Sequence, residues 1–204
     1  MLKTIISVRN QISSGKNVSF LFCDLQQKFM KNVYQGDCVL EAANNMARFS
    51  KILNFPQYIT EHRKEVFGPT VSEVLNHTYE KTKLYPKTRF SMFDLDFMNK
   101  NFSENELFVL LGVEAQICVT QTALTILESN RKLVLVVDAI SSRNSGERDV
   151  ALSNLKSCGA YLTTSEAIMF LYLTDSTNKD FKTLLPMFKK ERKTELLNES
   201  NKFL

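Results

Sequence analysis

Residues Glu106–Ser129, ELFVLLGVEAQICVTQTALTILES, decide the fold. Glu106–Leu111 is an apolar run of strand length that stops at Gly112, where the chain can turn. From Ile117 to Ser129 the pattern changes, with Thr120, Leu124 and Leu127 at helical spacing. A strand without polar alternation is buried on both faces, which is the habit of a parallel sheet covered by helices. Strand, short turn and helix, in that order, form the repeating unit of such a sheet.

The same unit recurs on both sides. Toward the C-terminus, Lys132–Val137 (KLVLVV) reads as a buried strand, Glu147–Cys158 as a helix ending at Gly159, and Ala160–Leu162 as a short strand. Thr163-Thr164-Ser165-Glu166 has the form of a capping box for a helix running to about Leu173, and Asn178–Lys190 is a last helix. Toward the N-terminus, Val18–Cys23 (VSFLFC) is a strand and Asp37–Leu53 an amphipathic helix. Gln57–Thr60 is a short strand, Thr70–Asn76 a helix opened by Gly68-Pro69, Leu84–Pro86 a weak third strand, and Asp94–Asn99 one or two helical turns. Alternating strands and helices make this an α/β protein with a parallel sheet.

Composition fits one soluble domain. The chain has 204 residues, 44% apolar and 24% charged, with only six Gly and four Pro, which argues against a turn-dense all-β architecture. The longest apolar runs, Leu107–Val113 and Ala167–Leu173, are far short of the roughly 20 residues that cross a membrane, so no membrane partner is expected. Ile5-Ile6 is too short for the apolar part of a secretory leader. Cys23, Cys38, Cys118 and Cys158 make no disulfide framework, so reduced thiols and a cytoplasmic location are expected. His62 and His77 stand alone and no Cys-x-x-Cys occurs, which argues against a structural zinc site.

The net charge of +4 lies at the ends. Residues 1–16 carry +3 and residues 189–204 carry +2, leaving −1 between them, so no nucleic-acid partner is expected. The acid-free segment before residue 18 is read as a flexible arm or a short mitochondrial targeting segment. Residues 18–188 are the domain, and 189–204 a polar tail.

Ligands of open parallel sheets bind at the carboxyl ends of the strands. Asp24, Thr60–His62, Lys87, Gly112–Cys118, Asp138 and Thr163–Ser165 therefore rank first. Among them Cys118 opens a helix, whose amides and dipole favour a thiolate. Asp24 can move a proton, and Lys87 can stabilise negative charge. A buried, inert cysteine is the competing reading of the same spacing.

FLFCDLQQKF (Phe20–Phe29), KTRFSMF (Lys87–Phe93), LLGVEAQICVTQTAL (Leu110–Leu124), VVDAISSRN (Val136–Asn144) and GAYLTTSEAIMF (Gly159–Phe170) together resemble the isochorismatase-like cysteine hydrolases, and most closely the eukaryotic isochorismatase domain-containing proteins. The resemblance implies a three-layer α/β/α Rossmann-like sandwich with a six-stranded parallel sheet in the order 3-2-1-4-5-6. It implies a catalytic triad of Asp24, Lys87 and Cys118, and a cis peptide between Val113 and Glu114 that aims the amides of Glu114 and Cys118 at an oxyanion. Gln26, Phe29, Glu61, His62, Phe90 and Glu114 are the implied pocket residues. Isochorismatase proper cleaves a vinyl ether without this cysteine, so Cys118 points to amide or related C–N hydrolysis of a small molecule.

Nicotinamidases of the superfamily carry an Asp-x-His metal site after the second strand. Here the stretch is Thr60-Glu61-His62-Arg63, with the wrong spacing, so neither metal nor other cofactor is expected. Glu114 is read either as a pocket group that repels anions or as the partner of a loop Arg or Lys. Phe29 is read as pocket or core. Arg143 is expected to tie a loop to the sheet. Asp24, Glu61 and Glu114 suggest a negative pocket. The family resemblance implies a homo-oligomer, a dimer or tetramer. The reading from another class is a non-catalytic binding or regulatory module that keeps the fold for protein contacts.

Overall fold

A computed structural model describes residues 2–189, 193 and 195–198. Six strands form one parallel sheet in the order β3-β2-β1-β4-β5-β6. They are β1 (Val18–Cys23), β2 (Gln57–His62), β3 (Thr82–Lys87), β4 (Leu107–Val113), β5 (Lys132–Ser141) and β6 (Tyr161–Thr163). The helices are α1 (Leu2–Ser14), α2 (Gln27–Met30), α3 (Gly36–Ile52), α4 (Lys64–Phe67), α5 (Ser72–Leu75), α6 (Leu95–Asn101), α7 (Thr120–Glu128), α8 (Ser145–Ser157), α9 (Ser165–Leu173), α10 (Phe181–Phe188) and α11 (Glu195–Asn198). The expected α/β fold and strand order are those observed.

The apolar runs of β1 and β4 are buried along their whole length, and they sit side by side at the centre of the sheet. Phe20, Phe22, Phe49, Met46, Ile59 and Phe108 fill the core around them. At the carboxyl end, β1 leads toward β2 and β4 toward β5, which opens the topological crevice between them. Gly112 makes the close approach possible. Its φ is +127°, and a Cβ there would lie 2.0 Å from the Cys23 carbonyl oxygen.

Several elements depart from the sequence reading for local reasons. β3 runs over Thr82–Lys87 despite Pro86, because it is an edge strand paired to β2 alone. β5 continues past Asp138 to Ser141, with its register against β4 shifting between Leu110 and Gly112. Asp138 does not end the strand because its carboxylate is satisfied inside the protein, accepting from the Ser165 N–H (2.8 Å) and hydroxyl (2.6 Å). Arg148 closes the irregular stretch, donating to the carbonyls of Ile140 (2.8 Å) and Val137 (2.6 Å). The helix expected over Thr70–Asn76 is only the short α5, since Thr70 is drawn into a bridge with Gln26.

The segment expected as an arm over residues 1–17 is instead mostly helix. Val8 and Ile12 of α1 lie at helical spacing, both are buried, and α1 packs on α9. Most of the tail expected over 189–204 lies outside the described residues. Within it Leu196 of α11 is buried, and Lys193 Nζ is 3.1 Å from an Asp37 carboxylate oxygen.

Candidate active site

The three post-strand residues of different chemistry converge. Asp24 follows β1 in a left-handed conformation (φ +49°), and Lys87 closes β3. Cys118 sits in a π-helical turn, Ala115–Val119, that precedes α7. Lys87 Nζ is 2.6 Å from Asp24 Oδ2 and donates to Cys118 Sγ at 3.5 Å. It also donates to the carbonyls of Arg89 (3.1 Å) and Phe90 (3.0 Å), which fixes the ammonium between acid and thiol. Burial alone lowers a lysine pKa, but Cys23, Asp24 and Cys118 outweigh it and hold the Lys87 pKa above its ordinary value. The Thr60 hydroxyl donates to the other Asp24 oxygen, Oδ1, at 2.8 Å.

The turn carrying Cys118 is braced from two sides. The Val113–Glu114 peptide is cis. The Thr122 hydroxyl donates to the Cys118 carbonyl (2.7 Å) and accepts from the Met92 N–H (3.0 Å), joining α7 to the loop after Lys87. The extended end of β5 supports the other side, where Ser142 Oγ donates to Gln116 Oε1 at 2.6 Å and the Arg143 N–H to Glu114 Oε2 at 3.0 Å. Cys23 is fully buried beside this centre, and burial, hydrogen bonding to Cys118 and the charge of Asp24 push its thiol pKa well up.

Cys118 faces an open cavity of about 650 Å³. One wall is aromatic. Phe29 stacks on Phe67 with centroids 4.3 Å apart, His62 lies 5.7 Å from Phe67, and His62 stacks on Phe90 at 5.8 Å. Phe29 is thus a pocket residue that also packs against the core. Burial, reinforced by the Lys87 charge, lowers the His62 pKa and so favours the neutral ring. Glu114 lines the cavity, and its Oε1 pairs with the Arg143 guanidinium at 3.3 Å, the loop partner of its second reading.

Gln26 and Glu61 do not join the cavity wall. Gln26 is buried and serves the backbone, accepting from the His62 N–H (2.7 Å) and donating to the carbonyls of His62 (3.1 Å) and Gly68 (2.6 Å). Glu61 accepts from the Thr70 N–H (2.8 Å) and pairs with Lys64 (3.0 Å), tying α4 and α5 to β2. Both are polar residues near a strand end, and their partners come from the end of β2 and the Arg63–Thr70 loop, which the sequence does not position. The expected negative pocket is corrected accordingly. Asp24 is neutralised by Lys87, Glu61 points elsewhere, and the charged lining is Lys28, Arg143 and Glu114. Among the described residues no group of three or more His, Cys, Asp or Glu gathers as metal ligands.

Comparison with known proteins gives concordant results. A family model described as the isochorismatase domain matches residues 19–167. Isochorismatase domain-containing protein 2 of Bos taurus is 37% identical over 180 residues, covering 88% of this chain and 86% of that protein. A solved structure titled as the MAR1 ribonuclease of Caenorhabditis elegans superposes with a TM-score of 0.82 at 29% identity, over 88% of this chain and 93% of that one. The YcaC gene product of Escherichia coli, titled an octameric hydrolase of unknown specificity, superposes with a TM-score of 0.74 over 85% of this chain and 87% of its own, and at 20% identity speaks for the fold alone.

Proposed function

This chain belongs to the isochorismatase family, and from that premise we propose that it is a cysteine hydrolase acting on a small amide or related C–N compound. Family membership supports hydrolysis in general. The cysteine mechanism rests on one observation, the Lys87 ammonium held 2.6 Å from Asp24 and 3.5 Å from Cys118 beside an open cavity.

In this reading Asp24 takes the Cys118 thiol proton as the sulfur attacks the substrate carbonyl carbon. The C=O electron pair moves onto oxygen. The Glu114 and Cys118 amides hold that oxyanion, and donors of this kind contribute about 3–4 kcal/mol each to the transition state. Collapse breaks the C–N bond, and the proton on Asp24 goes to the leaving nitrogen. Water then attacks the thioester and gives a proton to Asp24. The C–S bond breaks, the acid leaves, and Asp24 returns the proton to sulfur. Lys87 stays charged throughout and keeps Asp24 and the sulfur in register.

A panel of amides and ureides, run on wild type and Cys118→Ala, tests this. Release of amine or ammonia that disappears in Cys118→Ala is the expected result. No Cys118-dependent product from any compound would leave the binding-module reading in its place. Single-stranded RNA belongs in the panel because of the ribonuclease title of the worm structure. No Cys118-dependent RNA cleavage is expected, since Arg143 at the cavity is already paired with Glu114. The reading extends to a homo-oligomer, with light scattering on the full chain as its check.

A further inference from the structure

We propose that Thr60 is a positioning residue that holds the ionised Asp24 carboxylate with Oδ2 turned to Lys87. The inference rests on the cysteine-hydrolase reading and adds to it a residue that the mechanism does not otherwise use. Thr60 is the fourth residue of β2, the strand next to β1, and its side chain is completely buried with that of Asp24. Its hydroxyl donates to Asp24 Oδ1 at 2.8 Å, while Oδ2 is 2.6 Å from Lys87 Nζ. A hydrogen bond donated to Oδ1 favours the ionised carboxylate and fixes its rotation, with Oδ2 turned to the Lys87 ammonium. Oδ2 is the oxygen on the Lys87 side, and Lys87 in turn reaches Cys118 Sγ at 3.5 Å. Thr60 thereby keeps the carboxylate in register with Lys87 and, through it, with the reacting sulfur.

The charged and titratable groups around Asp24 come from every neighbouring strand. They are Cys23 on β1, His62 on β2, Lys87 on β3 and Cys118 after β4. Thr60 differs from all of them because it cannot titrate in this range. Replacing it therefore changes how Asp24 is held without adding or removing a charge. Losing a hydrogen bond to a carboxylate weakens the ionised form, so the acid limb of any Asp24-dependent rate moves to higher pH.

The test needs no known substrate. Cys118 of the full chain is alkylated with iodoacetamide between pH 5 and 9, and the rate is read by mass spectrometry of the Cys118 peptide. Wild type is compared with Thr60→Val, which keeps the shape and β-branching, and with Thr60→Ser, which keeps the hydroxyl. The expected result is an acid limb displaced upward by about one pH unit in Thr60→Val and restored in Thr60→Ser. An unmoved profile in Thr60→Val would overturn the proposal. So would a Thr60→Ser profile that follows Thr60→Val, because the lost methyl packing and not the hydroxyl would then be responsible. The underlying reading fails separately, when wild-type Cys118 reacts no faster than Cys158, which is exposed.

Discussion

Lys87 and Asp24 form an ion pair of 2.6 Å with 4% and 0% of their side chains exposed. Water does not screen such a pair, and either charge left alone would be buried without compensation. Removing one partner of a buried pair costs about 3–5 kcal/mol, whereas removing both often costs little. Lys87→Met and Asp24→Asn are each expected to lose stability in that range, and the double variant to recover at least half of it. Urea unfolding at pH 7 provides the comparison. A double variant as unstable as the sum of the two singles would show that the groups act independently.

Gly112 and Gly159 both have positive φ, +127° and +105°, but only Gly112 lacks room. A Cβ at Gly112 would collide with the Cys23 carbonyl at 2.0 Å, while at Gly159 nothing lies within 4 Å. Gly159→Ala is expected to cost the backbone strain alone, roughly 1–2 kcal/mol. Gly112→Ala adds displacement of β1 from β4 at the crevice and is expected to cost roughly 3 kcal/mol or more. Thermal melts of the two variants side by side check the ranking. Equal losses would mean that the central strands can separate cheaply.

The elements that the sequence made legible are those whose signal is local. Val18–Cys23 and Leu107–Leu111 are uninterrupted apolar runs, and they are buried as such runs must be. Asp24, Lys87 and Cys118 were legible because each follows a strand and carries reactive chemistry. Gln26 and Glu61 were misplaced because a polar side chain at a strand end can turn toward ligand or toward backbone. The loop from Arg63 to Thr70 decides which. Thr60 ranked among the strand-end candidates but with no role, and Thr122 carried no signal, since a threonine gains a role only from its partners in space, Asp24 and the Cys118 carbonyl. The extension of β5 through Asp138 was hidden for a similar reason, because its hydrogen-bond donor, Ser165, lies 27 residues away in the chain.

The cavity mouth carries Lys28 and Arg143, of which Arg143 pairs with Glu114 while leaving 70% of its side chain exposed. With its guanidinium so open to water, although Glu114 is buried, the pair contributes little to stability, about 0–1 kcal/mol. Its effect is expected on ligand charge. Iodoacetate and iodoacetamide differ by one negative charge, so the ratio of their rates at Cys118 reads the local potential. Arg143→Ala is expected to lower the iodoacetate:iodoacetamide ratio by a factor of roughly 2–5, more at low salt than at high. Glu114→Gln should raise the ratio. A ratio unaffected by either variant would remove charge at the mouth as a selector of substrates.

His62 sets a direction for stability against pH. Burial, followed by the Lys87 charge, lowers its pKa, and burial with Lys51 and Arg48 lowers that of His77. An unfolded chain takes up these protons near pH 6.5, whereas the folded chain resists until a lower pH. The unfolded state then binds more protons, so stability is full above about pH 6.5 and is lost as pH falls through the folded-state values. Melting temperatures measured from pH 8 to pH 5 should fall on acidification, and His62→Gln should flatten part of that fall. If His62→Gln tracks wild type across the range, His62 contributes no proton linkage.

Helix α1 makes a prediction that separates a structural segment from a detachable one. Val8 and Ile12 are buried against the body of the protein, and Gln11 Nε2 donates to the carbonyls of Asn17 (2.8 Å) and Asn105 (2.6 Å). Lys132 Nζ donates in turn to Gln11 Oε1 at 2.9 Å, so the helix is tied to the starts of β4 and β5. Ile12→Ala removes buried methyl groups from a packed site and is expected to cost about 2–4 kcal/mol. Deleting residues 1–16 should cost more, because it also uncovers the face of α9 on which α1 packs. A targeting segment that is cut off would behave in the opposite way, leaving unfolding by urea unchanged after its removal. Equal midpoints for the full and shortened chains would therefore restore the reading of this segment as a free arm.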